Sequence, residues 1–138
     1  MRKMMLIVDD EPTTLFAYKR LFESAEVGVE TARTLEEAEA ILRDHQFEVV
    51  ITDLRLSGAK PQGGFDVLRS VKANHPETKV ILITAYGNSE VIKKAHELGA
   101  SSYLEKPVPI KTLRETLRRL GIGSPVKKKM NGAPEGSS

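Results

Sequence analysis

Asp9 and Asp10, Asp53, Thr84 and Lys106 each stand just past an apolar run, so three carboxylates, one hydroxyl and one ammonium group mark the ends of four separate segments. Three carboxylates brought within a few ångströms repel one another, and either one takes up a proton or a cation neutralises them. A hard divalent cation does this economically. Magnesium prefers oxygen ligands and keeps several waters, so one or two carboxylates, a carbonyl and a phosphoryl oxygen suit it better than the larger calcium cage. Lys106 adds one positive charge, and three carboxylates, one lysine and one Mg2+ then sum to zero. An aspartate oxygen attacking a phosphoryl group develops charge on the equatorial oxygens, where a metal, a lysine and a hydroxyl such as that of Thr84 can stabilise it. The acyl phosphate so formed carries roughly one more negative charge than the carboxylate it replaces.

This chemistry requires elements that gather distant residues. Unbroken apolar runs at 4–8, 49–51 and 80–83 read as strands covered on both faces of a parallel sheet. Weaker strands are expected at 27–31, which alternates, and at 101–104, bounded by Gly99 and Pro107. Helical patterns lie between them. The first is expected over 13–24, with Leu15, Phe16, Leu21 and Phe22 on its buried side. The second opens with Thr34 as cap and Glu37 reaching back, with Ala38, Ile41 and Leu42 inward. Phe65, Leu68 and Val71 mark a third that stops before Pro76. Residues 89–98 give a fourth, with Val91, Ala95 and Leu98 on one stripe, and Ile110, Leu113, Leu117 and Leu120 give a fifth, with Pro109 suited to its first turn. Five strand–helix alternations predict an α/β, doubly wound (βα)5 sandwich with a parallel five-stranded sheet in the flavodoxin-like order 2-1-3-4-5. That order makes the first and third strands neighbours and puts Asp9, Asp10 and Asp53 together at the carboxyl edge.

The 138 residues suffice for one domain, expected over 1–121, with 122–138 a Gly, Pro and Ser-containing tail that reads as a linker or cloning remnant. Removing Lys127, Lys128, Lys129 and Glu135 leaves equal numbers of basic and acidic residues, so the net charge of +2 is no nucleic-acid signature. No apolar stretch reaches membrane-spanning length and no signal peptide is expected. With no cysteine, disulfides, thiol nucleophiles and thiolate zinc sites are excluded, and a cytoplasmic location fits. His45, His75 and His96 have no ligand spacing between them and read as surface residues.

Taken singly, Asp9 or Asp10 reads equally well as a helix cap near Pro12, Asp53 as a turn residue, Thr84 as a strand end and Tyr103 as core. Their conjunction on one sheet edge favours a site. Asp9-Asp10-Glu11, Asp53, Thr84-Ala85 and Tyr103-Leu104-Glu105-Lys106-Pro107, in this order at successive strand ends, resemble the receiver domains of two-component response regulators over residues 4 to about 120. The resemblance implies Asp53 as phosphoacceptor, Asp10 as direct Mg2+ ligand, the Arg55 carbonyl as a further protein ligand and Asp9 as a ligand through water. It implies that Lys106 pairs with Asp53 and then with the phosphoryl group, that Thr84 moves toward it, that Tyr103 turns inward, and that the Lys106–Pro107 bond is cis. The implied donor is a histidine kinase or histidine phosphotransfer protein. Catalysis is then confined to the domain's own phosphorylation and dephosphorylation, with no direct nucleic-acid or membrane binding.

Several positions depart from the family pattern. The segment from Asp53 to Gly64, with Gly58, Pro61 and Gly63, is longer than usual, and Val108-Pro109 and Ser101-Ser102 leave the familiar dimer surface in doubt. Arg55 and Tyr86 occupy positions that tune phosphate loss in the family. A second reading keeps the fold as an interaction module without phosphorylation. A third, an enzyme on an external substrate, fits less well: Asp53-Leu54-Arg55 lacks a phosphatase's second aspartate two residues on, and Asp9-Asp10-Glu11 is not a flavin phosphate loop. No output domain is expected after Leu120, so the chain reads as a stand-alone receiver or one excised from a longer regulator.

Overall fold

The computed structural model describes residues 2–56, 62–85 and 87–122. Strands and helices alternate: β1 (Lys3–Val8), α1 (Pro12–Phe22), β2 (Val27–Ala32), α2 (Leu35–Asp44), β3 (Val49–Asp53), α3 (Gly63–Asn74), β4 (Lys79–Thr84), α4 (Ser89–Glu97), β5 (Ser102–Glu105) and α5 (Ile110–Arg119). All four strand pairings are parallel, in the expected order β2-β1-β3-β4-β5.

The unbroken apolar runs are explained by two cores divided by side-chain alternation along the strands. Leu6, Val8, Val50, Val80 and Leu82 face one side, where α2, α3 and α4 cover them with Ala38, Leu42, Phe65, Leu68, Val71, Val91 and Ala95. Met5, Ile7, Val49, Ile51, Ile81 and Ile83 face the other, beneath Leu15 and Phe22 of α1 and Leu113 and Leu117 of α5. Each large apolar side chain buried this way contributes about 1.5–3 kcal/mol.

Local chemistry sets the helix ends. The Thr34 hydroxyl accepts the Glu37 N–H at 3.1 Å, capping α2. The Glu37 carboxylate reaches back one residue further than expected and accepts the Arg33 N–H at 2.8 Å. Asn88 caps α4 in the same way, accepting the Val91 N–H at 2.9 Å.

Two expectations need correction. Phe16 and Leu21 are not buried; they are 65% and 41% exposed. Leu15, Tyr18 and Phe22 form the inward stripe, and at 3.6 residues per turn Phe16 and Leu21 lie roughly 100° from Leu15 and Phe22 respectively, on opposite flanks. The Arg20 guanidinium covers the Phe16 ring at 5.7 Å. The boundary at 121 also falls short: Ile122 is buried in the α1/α5 core, and its N–H donates to the Leu117 carbonyl at 2.9 Å. The rest of the expected tail, 123–138, lies outside the described residues, as do Gly58 and Pro61.

Leu113→Ala should lower unfolding free energy by about 2–5 kcal/mol in urea denaturation. Phe16→Ala, expected by a fully amphipathic reading of α1 to do the same, should change it by no more than about 0.5 kcal/mol.

Candidate functional site

The sheet register assembles the site. Val8 pairs with Thr52 and Asp53 with Ile83, so Asp9 leaves β1 beside the end of β3, and Thr84 lies one residue beyond the partner of Asp53. Thr84 pairs with Glu105, which places Lys106 next in line on β5. The Lys106 N–H donates to the Thr84 carbonyl at 2.8 Å, extending the ladder past its last pair.

Asp9 and Asp53 are 4% and 8% exposed, and Thr84 is fully buried. The Lys106 ammonium sits between the two acids, donating to Asp53 Oδ2 at 2.5 Å and standing 3.6 Å from Asp9 Oδ2. The remaining oxygens are held by backbone: Asp9 Oδ1 accepts the Glu11 N–H at 2.9 Å, and Asp53 Oδ1 accepts the Arg55 N–H at 3.1 Å. The helix-cap reading of Asp9 therefore fails, because Glu11 occupies the cap position of α1 and Asp9 turns back on the loop instead. Asp10 is half-buried beside it. Among the described residues, no three His, Cys, Asp or Glu side chains form a ready-made metal cage. The ammonium of Lys106 bridges two of the expected acids.

The charges respond to burial and to each other. Burial raises the Asp9 carboxyl above its ordinary value, more than the Glu11 N–H and Lys106 lower it, with Asp53 and Asp10 repelling its charge. Burial pulls Lys106 down, but the hydrogen bond to Asp53 and the charges of Asp53 and Asp9 outweigh it, and the ammonium is raised overall.

Two contributors escape the sequence reading. Gly64 packs so closely on the end of β3 that an added Cβ would overlap the Asp53 carbonyl oxygen and lie 2.6 Å from Leu54 Cα; its N–H donates to the Leu54 carbonyl at 2.8 Å. The Gly63-Gly64 pair at a helix start was the available signal. Tyr18, half-buried on α1, has its phenol raised by burial and by the charges of Asp9 and Asp53, against the pull of Lys106, which puts it within electrostatic reach of the site. Its stripe position on α1 marks it only as core. Tyr103 is half-buried on β5 with its hydroxyl enclosed, and the Lys106–Pro107 peptide is cis. Tyr86 lies outside the described residues.

The family model for the response regulator receiver domain matches residues 5–118. The chain belongs to that family. It is 36% identical over 115 residues to the response regulator protein PilR of Pseudomonas aeruginosa, covering 83% of this chain and 25% of PilR. It is 34% identical over 105 residues to the acid tolerance regulatory protein ActR of Rhizobium meliloti, covering 76% and 53%. Among solved structures, a CheY-like receiver domain protein from Methanospirillum hungatei superposes with a TM-score of 0.80 at 29% identity, covering 88% of this chain and 95% of that one. The chain thus spans a quarter to a half of these curated relatives. Receiver domains are the phosphorylation-based signalling switches of two-component systems, acted on by histidine kinases, and typically bind Mg2+ at the phosphorylation site. No helix among the described residues is long and apolar enough to cross a membrane.

A carboxyl whose folded pKa lies above its unfolded value binds its proton more tightly when folded, so Asp9 favours folding as pH falls and opposes it once ionised. Asp9→Asn should therefore raise the urea midpoint at pH 7, and the gain should vanish on acidification as Asp9 protonates in the parent chain.

Proposed function

We propose that this receiver domain works by accepting a phosphoryl group on Asp53 from a histidine kinase or histidine phosphotransfer protein. The observation that carries the reading is the Lys106 ammonium 2.5 Å from Asp53 Oδ2, at a sheet edge that also gathers Asp9 and Thr84. In the transfer, a bond forms between an Asp53 carboxylate oxygen and phosphorus while the bond from phosphorus to the donor's imidazole nitrogen breaks, and the leaving imidazole takes up a proton. Lys106 holds Asp53 before transfer and turns to a phosphoryl oxygen after it, a step that costs little because the ammonium stays beside negative charge throughout. The Thr84 hydroxyl donates to a second phosphoryl oxygen, and Tyr103 fills the space behind Thr84.

The donor set suits a hard divalent cation: all the candidate groups are oxygens, and Lys106 alone leaves the three acids with a net charge of about −2. Asp10, Asp53 and the carbonyl of Arg55 would hold Mg2+ directly, and Asp9 through water. Bound there, the ion neutralises the acids and the charge gathered on the phosphoryl oxygens. The new charge on Asp53 then biases a two-state rearrangement of the surface near Thr84 and Tyr103. The chain's setting is cytoplasmic on this reading, with residues after Ile122 acting as a linker, and Asp53 chemistry is the domain's only catalysis.

Mass spectrometry after incubation with a small phosphodonor and Mg2+ should show gain of one phosphoryl group. Asp53→Asn and chelation of Mg2+ should each abolish it, and Lys106→Met should slow it at least roughly a hundredfold. Absence of any gain, or a gain that survives Asp53→Asn, favours the alternative of an interaction module that is never phosphorylated.

A further inference from the structure

The Tyr103 hydroxyl is a buried polar group with no hydrogen-bond partner among the described residues. Such a group forgoes a hydrogen bond that water would supply, so polar contacts do not explain the inward pose of the ring. Shape does. The ring packs on the core beneath α2, α3 and α4, and the hydroxyl enters the space beside Gly87. A Cβ at position 87 would overlap the Tyr103 hydroxyl oxygen, stand 3.0 Å from Tyr103 Cζ and come within 2.8 Å of Glu105 Oε2. Burial, then the charge of Glu105, raises the phenol above its ordinary value and keeps it neutral.

We propose that Gly87 is a positioning residue for Tyr103: the missing side chain between Thr84 and α4 leaves the gap that admits the hydroxyl, and any Cβ there turns the ring toward solvent. Two poses then compete. Inward, the ring keeps its apolar packing and leaves the hydroxyl unpaired; outward, the hydroxyl regains water and the packing is lost. Gly87 decides between them by steric room alone, so the backbone at Gly87 and strand β5 are coupled where the Tyr103 hydroxyl meets that backbone. The proposal rests on the receiver reading only for its consequence, that this contact links the phosphoryl-sensing hydroxyl to β5 and its exposed Glu105.

The test uses the whole chain labelled with 3-fluorotyrosine, with Tyr18→Phe and Tyr103→Phe assigning the fluorine resonances. In the parent chain the Tyr103 resonance should show the reduced H2O-to-D2O shift of a half-buried ring whose hydroxyl edge is enclosed, and in Gly87→Ala that shift should rise toward the value of an exposed ring. Thermal midpoints supply the second reading: Gly87→Ala should lower Tm in the parent chain, and by no more than about half as much in a Tyr103→Phe background, where the colliding oxygen is gone. Should Gly87→Ala fail to fold while Gly87→Ala/Tyr103→Phe folds, the proposal stands; failure of both overturns it. An unchanged Tyr103 resonance, or equal losses of Tm in the two backgrounds, also overturns it. Neither reading needs phosphorylation, so a chain that never takes a phosphoryl group sinks the Asp53 proposal and leaves this one to its own outcome.

Discussion

Negative charge concentrated at one edge of a sheet is the constraint on which the rest of this molecule depends. Asp9 and Asp53 are almost wholly withdrawn from water, and their separation is set by the parallel register of β1 and β3, which neither side chain can relax. Ionised and unaccompanied, such a pair would oppose folding. Lys106, delivered from the far end of the chain by β5, stands against both. Backbone amides of Glu11 and Arg55 take up one further oxygen of each acid. The arrangement tolerates the charge without extinguishing it, which is the condition for a carboxylate that is to be chemically competent.

The scaffold supplies the rigidity that this tolerance requires. Both faces of β1, β3 and β4 are packed, by α1 and α5 on one side and by α2, α3 and α4 on the other. A residue at the carboxyl end of such a strand inherits its position from the two packed cores that hold the strand rather than from its own contacts alone. Gly64 tightens this further at the critical place. With no Cβ, the first turn of α3 lies directly against the carbonyl of Asp53 and the backbone of Leu54, so the strand end is clamped by main chain.

On the side of the site toward β5 the packing is looser in kind. Tyr103 is held by apolar contact and a gap at Gly87, with its hydroxyl unpaired among the described residues, beside the exposed carboxylate of Glu105. The molecule therefore combines a tightly determined centre of charge with a neighbouring aromatic ring that is held by packing and steric room rather than by a polar contact among the described residues. A signalling switch needs a fixed point where charge changes, and an element near it with two arrangements of similar free energy.

Asp9-Asp10, Asp53, Thr84 and Lys106, together with the strand–helix alternation, were legible from the sequence, because charged and hydroxyl residues closing apolar runs leave a local pattern and parallel connections leave few topologies. The strand order and the family followed from that. Phe16 and Leu21 were misread because an apolar residue on the flank of a helix stripe looks the same in sequence whether or not a neighbour covers it. Ile122 was misread because a single apolar residue after a helix has no periodicity to declare it. The sequence by itself determined which groups would meet at the sheet edge. Only the tertiary structure decided that Lys106 bridges Asp9 and Asp53, that Gly64 presses on Asp53, that Tyr18 comes within electrostatic reach, and that Gly87 makes room for Tyr103. These are contacts between residues far apart in the chain, and their distances are set by packing of the whole core, of which no local run of residues carries a record.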